Sequence, residues 1–206
     1  MIVATRLQTI GSAPARSLLT FAAGILIAAG LFLAAQGGWI YAKAALAQLL
    51  LERAFAESVI SGTPVKPWSW ADTWPVARIE VPRLGVSAIA LKGVSGQALA
   101  FGPGHLDNTP QAGEEGTAVY AAHRDTHFTF LRNIRENDRL RIARSDGQIF
   151  TFRVTHMAVA RWDEAEIDPD ARGVHLVLAT CFPFDAMTSG PLRYLVYADL
   201  EETTGK

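Results

Sequence analysis

The stretch HLVLATCFPF, residues 175–184, contains Cys181, the only cysteine of the chain. Apolar, β-prone residues lead to Thr180 and Cys181, and Phe-Pro-Phe follows at once, so the thiol is predicted to end a buried strand. A lone cysteine cannot form a disulfide within its own chain, so it is either a small inert apolar residue or a reactive group. Composition alone favours the inert role. Residues elsewhere in the sequence must show whether the thiol is reactive.

Short β-like runs bounded by Gly, Asp or Pro surround this strand. They are ARIEVPRL, VSAIAL, GTAVYAA, DRLRIAR, IFTFRVTHMAVA, VHLVLAT and RYLVYADL. Asp146-Gly147 between two of them predicts a hairpin turn. About eight short strands with little helix between them predict a mainly β fold, a closed or nearly closed antiparallel-type barrel. Residues 102–104 and the acid-rich residues 161–173 are predicted to be loops.

The N-terminal region has a different composition. From Leu18 to Tyr41 no residue is charged, and a helix of this length would extend about 36 Å, enough to cross a bilayer. The Ala- and Leu-rich residues 42–60 predict further helix, and a Trp- and Pro-rich connector follows. The predicted domains are a cytoplasmic N-terminus (1–17), a transmembrane signal anchor (18–41), a helical and Trp/Pro-rich connector (42–75) and the β-barrel domain (76–206).

Charge near the apolar segment predicts its orientation. Arg6 and Arg16 precede it, and no acidic residue occurs before Glu52. Positive residues favour the cytoplasmic side, so the N-terminus is predicted to be cytoplasmic and the barrel extracytoplasmic. A cleavable signal peptide is the alternative, but the apolar segment is longer than an ordinary signal-peptide core.

Several classes of function have no support in the sequence. The formal net charge is −1 and Lys and Arg form no stripe, so no nucleic-acid partner is predicted. CxxC, HExxH, Walker and GxGxxG patterns are absent, so no metal and no cofactor is predicted. The acidic residues 163–170 lack EF-hand spacing, and a solvated loop is favoured over a Ca²⁺ site there.

A reactive thiol needs a partner that controls its protonation and a donor that stabilises a developing oxyanion. His123 follows the strand AVYAA and, like Cys181, is predicted at a strand end. Arg193 begins the last strand, which would return beside the cysteine strand. His105, in PGHLDN, is a candidate for the rim of a cleft. The remaining histidines are predicted to be structural: His127, His156 and His175.

The ordered segments GTAVYAAHRDTHF, LATC and PLRYLVYADL resemble those of sortases, which are membrane-anchored cysteine transpeptidases. Sortases carry a His in a GHRD-like segment, a Thr-Leu-x-Thr-Cys strand end and an Arg at the start of a later strand. The resemblance covers roughly residues 75 to 200. Ala122 and Val177 depart from the family pattern but leave His123, Cys181 and Arg193 in place.

The resemblance implies a role for each matched residue. Cys181 would attack the carbonyl of a Leu-Pro-x-Thr-Gly-like sorting signal, and the acyl group would pass to an amine. His123 would act as acid and base, and Arg193 would stabilise the oxyanion or position the substrate. Thr180, or a backbone N–H near Cys181, would support the oxyanion. His105 remains a candidate for the rim of the substrate cleft from its own place in PGHLDN.

Two longer segments, PWSWADTWPVARIEVPRLGV and LAFGPGHLDNTPQAGEEGT, resemble the proteobacterial group of sortases. That group is usually encoded with a protein carrying a von Willebrand A-like domain. The resemblance therefore implies an inner-membrane protein with a periplasmic catalytic domain. Its expected partners are a protein with a C-terminal sorting signal and a von Willebrand A-like protein.

Two alternatives remain open at this point. The first is an L,D-transpeptidase, which also uses His and Cys on a β-rich fold, although Cys181 follows Ala-Thr and the Ser/Thr-His-Gly-Cys signature of that class is absent. A papain-like protease is not among them, because such proteases place Cys before His in the chain, the opposite of the order here. The second alternative is a non-catalytic, membrane-tethered β-domain that binds extended peptides, in which the same residues would be structural.

Overall fold

The structure is a computed structural model that describes residues 13–188 and 190–201. Contacts divide the chain into two compact units, one up to Ala45 and one from Leu46 onward. The second unit contains the barrel. Residues 1–12 of the predicted cytoplasmic segment 1–17 lie outside the described residues.

Helix α1, Ala13–Ser61, passes through both units. Its stretch from Leu18 is long and apolar enough to cross a membrane, with a mean hydropathy of 2.4 in the most apolar window. None of that window is buried inside the protein. Within the described residues it is the one helix that meets this test. The predicted N-terminal apolar helix is thus confirmed, whereas the predicted domain boundaries stay a prediction.

Eight strands close into a barrel in the order β1-β2-β3-β4-β7-β8-β6-β5. The strands are β1 (Pro75–Val81), β2 (Val86–Lys92), β3 (Gly104–His105), β4 (Gly116–Ala121), β5 (Arg139–Arg144), β6 (Ile149–Arg161), β7 (Val174–Cys181) and β8 (Leu192–Leu200). A short helix α2 (Gly96–Phe101) and two 3₁₀ turns (Pro82–Leu84 and Thr129–Asn133) lie between strands. The predicted mainly β, closed barrel of about eight strands is confirmed.

Three details differ from the sequence-based expectation. The barrel is not purely antiparallel, because β2 pairs with β3 and β4 pairs with β7 in parallel. A parallel pair needs a crossover, and the β5–β6 hairpin lies in the chain between β4 and β7. Gly104, expected in a loop, forms part of β3, where a Cβ would lie 2.2 Å from the Gly93 carbonyl oxygen. Helix α2 was also not expected.

The predicted hairpin at Asp146-Gly147 is confirmed. Ala143 pairs with Ile149 across β5 and β6, and Gly147 has a φ of 85°. This left-handed conformation is favourable for glycine.

Strand β7 is buried on both faces, as its apolar run suggests. Leu176 and Leu178 join the barrel core. Val177 faces the other way and packs with Val119 of β4 and Leu195 of β8. The segment between β6 and β7 covers this outer cluster, since its Ala165 and Ile167 pack there. The outer face of β4, β7 and β8 is therefore an apolar, partly covered surface.

The last turns of α1 pack on the outside of the barrel. Leu51 is fully buried and Phe55 is 6% exposed, and both pack with Ile89 and Leu91 of β2. Arg78 of β1 pairs with Glu52 and lies 5.2 Å from the centre of the Phe55 ring.

Leu51→Ala is expected to lower the free energy of unfolding of the barrel unit by about 2–5 kcal/mol, because it leaves a cavity at a fully buried position. Urea unfolding of the full chain in detergent measures this change. Leu49→Ala, on the same helix at a side chain that is 65% exposed, should change the free energy by less than about 0.5 kcal/mol. Equal effects of the two substitutions would contradict the packing of α1 on the barrel.

Candidate active site

Two neighbouring parallel strands bring His123 and Cys181 to the same edge of the barrel. Strands β4 and β7 pair in register up to Ala121 and Ala179, and each candidate residue lies two positions further on. The Ala122 N–H donates to the Ala179 carbonyl at 3.2 Å, which continues the pairing beyond the strand β4. Parallel strands end at the same edge of a sheet, so equal spacing places the imidazole and the thiol side by side.

Thr180 joins the two strand ends. Its side chain is buried, and its hydroxyl donates to the Ala122 carbonyl at 2.7 Å. Because the hydroxyl proton is used in this bond, Thr180 holds the peptide before His123 and has no proton left for a substrate oxygen.

Arg193 lies opposite the thiol. It is the antiparallel register partner of Cys181 at the start of β8, and the Phe182 N–H donates to the Leu192 carbonyl at 3.0 Å beside it. Arg193 Nη1 donates to the carbonyls of Gly190 and Leu192, each at 2.9 Å. Within the described part of the chain, Nε and Nη2 have no hydrogen-bond partner. Backbone carbonyls thus hold Nη1 of the guanidinium in place, and Nε and Nη2 are left to donate to a ligand.

A groove of about 320 Å³ connects these residues. His123, Thr180, Cys181 and Arg193 line one end. The rest of the lining is mainly apolar and comes from Leu99, Leu106, Val119, Ala165, Ile167, Ala179 and Leu195. Trp162 is 62% exposed and also lines it. An open apolar channel that ends at a thiol and a guanidinium suits an extended peptide with apolar side chains and a polar backbone.

His105 does not lie in this groove. It is buried on β3, and its Nε2 donates to the Pro110 carbonyl at 2.9 Å. Burial lowers the pKa of its imidazole. His105 lines a separate cavity of about 260 Å³ with Lys92 and Tyr120. The neighbouring Leu106, and not His105, contributes to the groove.

Arg124, next to His123, was not singled out from the sequence. It is only 6% exposed, and its guanidinium donates to carbonyls of the segment after Cys181. His127, predicted to be structural, lies in the same polar segment, residues 123–127, and burial lowers the pKa of its imidazole. Among the described residues, no group of three or more His, Cys, Asp or Glu side chains is arranged to hold a metal ion.

His175, predicted to be structural, bridges two elements on the outer face of the barrel. Its Nδ1 lies 2.6 Å from Asp199 Oδ1, and its Nε2 lies 2.8 Å from the Arg172 carbonyl. Both partners are acceptors, so the doubly protonated ring satisfies them best. The Arg172 carbonyl, followed by Asp199, raises the pKa of His175 above its usual 6.5.

A pH dependence of stability follows. The raised pKa contributes stability that is fully present below a pH of about 6.5 and is lost as the pH rises through the pKa of the folded state. Melting temperatures from pH 5 to pH 9 should therefore fall more for the wild type than for His175→Gln. His156→Gln, which keeps the His175 pair, is the control and should follow the wild type. Parallel curves for the wild type and His175→Gln would contradict this role.

Comparison with known proteins identifies relatives of the barrel domain. The family model of the sortase domain matches residues 79–201. Sortase D of Bacillus subtilis (strain 168) is 28% identical over 120 residues, which are 58% of this chain and 60% of that protein. Sortase E from Streptomyces avermitilis is 29% identical with a TM-score of 0.53, over 62% of this chain and 88% of that structure.

The barrel and the groove define a protein of the sortase fold, and the matched region exceeds half of the sequence. The chain belongs to the sortase family. Sortase A from Corynebacterium diphtheriae shares the fold, with a TM-score of 0.58 and 24% identity over 65% of this chain and 63% of that structure. The chain thus spans less than two thirds of the Bacillus and Corynebacterium relatives.

Proposed function

We propose that this protein is a membrane-anchored cysteine transpeptidase that cleaves a Leu-Pro-x-Thr-Gly-like sorting signal and transfers the acyl group to an amine. The observation that carries the proposal is the meeting of three strand ends at one groove. His123 follows β4, Cys181 ends β7 and Arg193 lies at the start of β8. Acyl transfer requires a nucleophile, a group that gives and takes protons, and hydrogen-bond donors that stabilise the oxyanion.

The reaction has two steps. Cys181 Sγ attacks the threonine carbonyl of the substrate, and the C–N bond to the next residue breaks as a thioester forms. His123 gives its proton to the leaving amine. An incoming amine then attacks the thioester, His123 takes the proton of that amine, and the thiolate leaves. Water in place of the amine gives slow hydrolysis.

Oxyanion stabilisation falls to Arg193 and to backbone N–H groups rather than to the Thr180 side chain. Arg193 has Nε and Nη2 free of partners within the described residues, whereas the Thr180 hydroxyl donates to Ala122. A guanidinium whose other arm is fixed by two carbonyls is already oriented before the substrate binds. Thr180 instead supports the site by joining the two strand ends.

The apolar end of the groove is proposed to hold the Leu and Pro side chains of the signal. Val119, Ile167 and Leu195 offer apolar contact there, which favours burial of such side chains from water. This arrangement leaves the scissile peptide at the polar end.

The cellular setting is part of the proposal. The apolar stretch of α1 from Leu18 and the arginines before that stretch support a single span with a cytoplasmic N-terminus at residues 1–17 and an anchor at 18–41. Residues 42–75 would then connect the anchor to the catalytic domain, 76–206. The Trp-rich connector resembles that of proteobacterial sortases, and this supports an inner-membrane protein with a periplasmic active site. Its proposed partners are a protein substrate with a C-terminal sorting signal and a von Willebrand A-like protein.

Intact-protein mass spectrometry tests the reaction. The detergent-solubilised full chain is mixed with a panel of Leu-Pro-x-Thr-Gly-like peptides. A mass increase equal to the cleaved acyl fragment, lost on addition of hydroxylamine, is the expected result, because hydroxylamine cleaves thioesters. Peptide binding without any adduct would instead support a groove that binds extended peptides and does not cut them.

A further inference from the structure

The segment that joins the thiol to the arginine has few backbone hydrogen bonds of its own among its described residues, 182–188 and 190–191. Residues 182–191, here called the Cys loop, connect Cys181 at the end of β7 with Arg193 near the start of β8. Pairing at its base joins Phe182 to Leu192, and Ala186 N–H donates to the Pro183 carbonyl at 3.3 Å. Carbonyls of such a loop need other donors if the loop is to keep one conformation.

Arg124 supplies several of these donors from the other side of the site. Its Nη1 donates to the Pro183 carbonyl at 2.6 Å, and its Nη2 donates to the Ala186 carbonyl and, at 3.5 Å, to that of Thr188. One side chain therefore contacts the Cys loop at three points spread over its length.

The position of Arg124 in the chain makes these bonds relevant to His123, its neighbour. The Phe128 N–H donates to the His123 carbonyl at 3.1 Å, and the Thr129 hydroxyl donates to the Arg124 carbonyl at 2.9 Å. Phe128 is fully buried in the barrel core. The turn that carries His123 and Arg124 is thus anchored on the barrel, and Arg124 extends that anchorage to the Cys loop.

The burial of this charge sets Arg124 apart from ordinary surface arginines. Its side chain is 6% exposed, and its ion-pair partner Asp125 is 69% exposed. Burying a guanidinium is unfavourable unless its N–H groups are paired. Here carbonyls of the Cys loop accept from most of the N–H groups of Arg124. An ammonium group cannot reproduce this planar arrangement of donors.

We propose that Arg124 is a positioning residue that holds the Cys loop against the turn of His123 and so sets the geometry between the thiol, the imidazole and Arg193. Its effect on turnover rests on the proposed function. Its hold on the loop does not, and the two are measured separately. Reacting groups misplaced by about 1 Å can lose about 100-fold in rate, so loss of Arg124 should lower kcat more than it raises KM.

The test compares Arg124→Gln with Arg132→Gln in the full chain. Arg132 is a matched control because it also contacts the Cys loop, with Nη2 3.4 Å from the Phe184 carbonyl and Nη1 3.6 Å from Asp185. Its side chain, however, is 41% exposed. Three quantities are measured for each variant: amide hydrogen exchange by peptide, the pH profile of Cys181 alkylation by iodoacetamide, and kcat and KM for the peptide that acylates the wild type.

Arg124→Gln is expected to speed exchange in the Cys loop but not in the barrel strands, to change the alkylation profile, and to lower kcat by about 100-fold. Arg132→Gln should leave all three close to the wild type. Millimolar guanidinium added to Arg124→Ala should restore part of the alkylation profile, whereas methylammonium should not, because only guanidinium reproduces the fork of donors.

Other results would overturn the proposal. Unchanged exchange in the Cys loop of Arg124→Gln would show that the loop conformation does not depend on Arg124. A kcat within about threefold of the wild type would show that the reaction does not depend on it, and either result contradicts the proposal. Faster exchange throughout the barrel without guanidinium rescue would assign Arg124 to general stability. If the wild type forms no thioester with any peptide, the proposed function fails, while exchange and alkylation still decide the role of Arg124 in holding the loop.

Discussion

Cys181→Ala is expected to abolish formation of the acyl-enzyme and all transpeptidation, because no other thiol exists in the chain. The fold should be retained. Cys181 is half-buried at a strand end, and alanine keeps its Cβ and removes only the sulfur. Intact mass spectrometry with the reactive peptide and a thermal melt by circular dichroism measure the two effects together.

A control in the same region separates loss of the thiol from disturbance of the Cys loop. The side chain of Met187 is fully exposed, so Met187→Ala should keep full activity and the wild-type melting temperature. Turnover retained in Cys181→Ala would remove the thiol mechanism altogether. Loss of activity together with loss of the circular dichroism signal would trace that loss to unfolding of the barrel rather than to removal of the nucleophile.

Arg193→Lys is expected to lower kcat/KM by about 100-fold, comparable to removal of an oxyanion donor in other acyl-transfer enzymes. The positive charge stays, but an ammonium group cannot donate to the Gly190 and Leu192 carbonyls and to a substrate oxygen in the same planar geometry. Steady-state kinetics with the reactive peptide measure the loss, and most of it should appear in kcat.

Arg161→Lys is the matched control for this substitution. Arg161 lies at the end of β6, pairs with Leu192 beside Arg193, and forms an exposed ion pair with Asp163. An exposed ion pair contributes little to the stability of the fold. The Arg161→Lys variant should therefore keep an activity near that of the wild type. Near-wild-type turnover of Arg193→Lys would show that the positive charge alone suffices and that the planar donors of the guanidinium are not needed.

The strands show how much of the secondary structure the local sequence pattern can predict. The β-like run of β1 and the Asp-Gly turn between β5 and β6 depend on neighbours in the chain, and both were predicted. Strand β3 was not predicted, because its two residues pair with partners far away in the sequence, Leu91 and Tyr120 among them. No local pattern reveals a strand of that length.

The candidate site shows the same division. His123, Cys181 and Arg193 were chosen from predicted strand ends, and the structure brings all three to one groove. His105 was chosen from a predicted loop segment, PGHLDN, yet it lies on β3 and lines another cavity. Arg124 was passed over, since its carbonyl partners lie about 60 residues away, at Pro183 and Ala186.

The sequence by itself determined the class of fold, the apolar N-terminal helix and the residues able to carry the chemistry, because these depend on composition, periodicity and residue type. Only the tertiary structure decided which of those residues meet. The parallel pairing of β4 with β7 and the antiparallel pairing of β7 with β8 align three strand ends. The partners of His105, Thr180 and Arg124 were likewise decided by long-range hydrogen bonds, which form only when distant segments pack together.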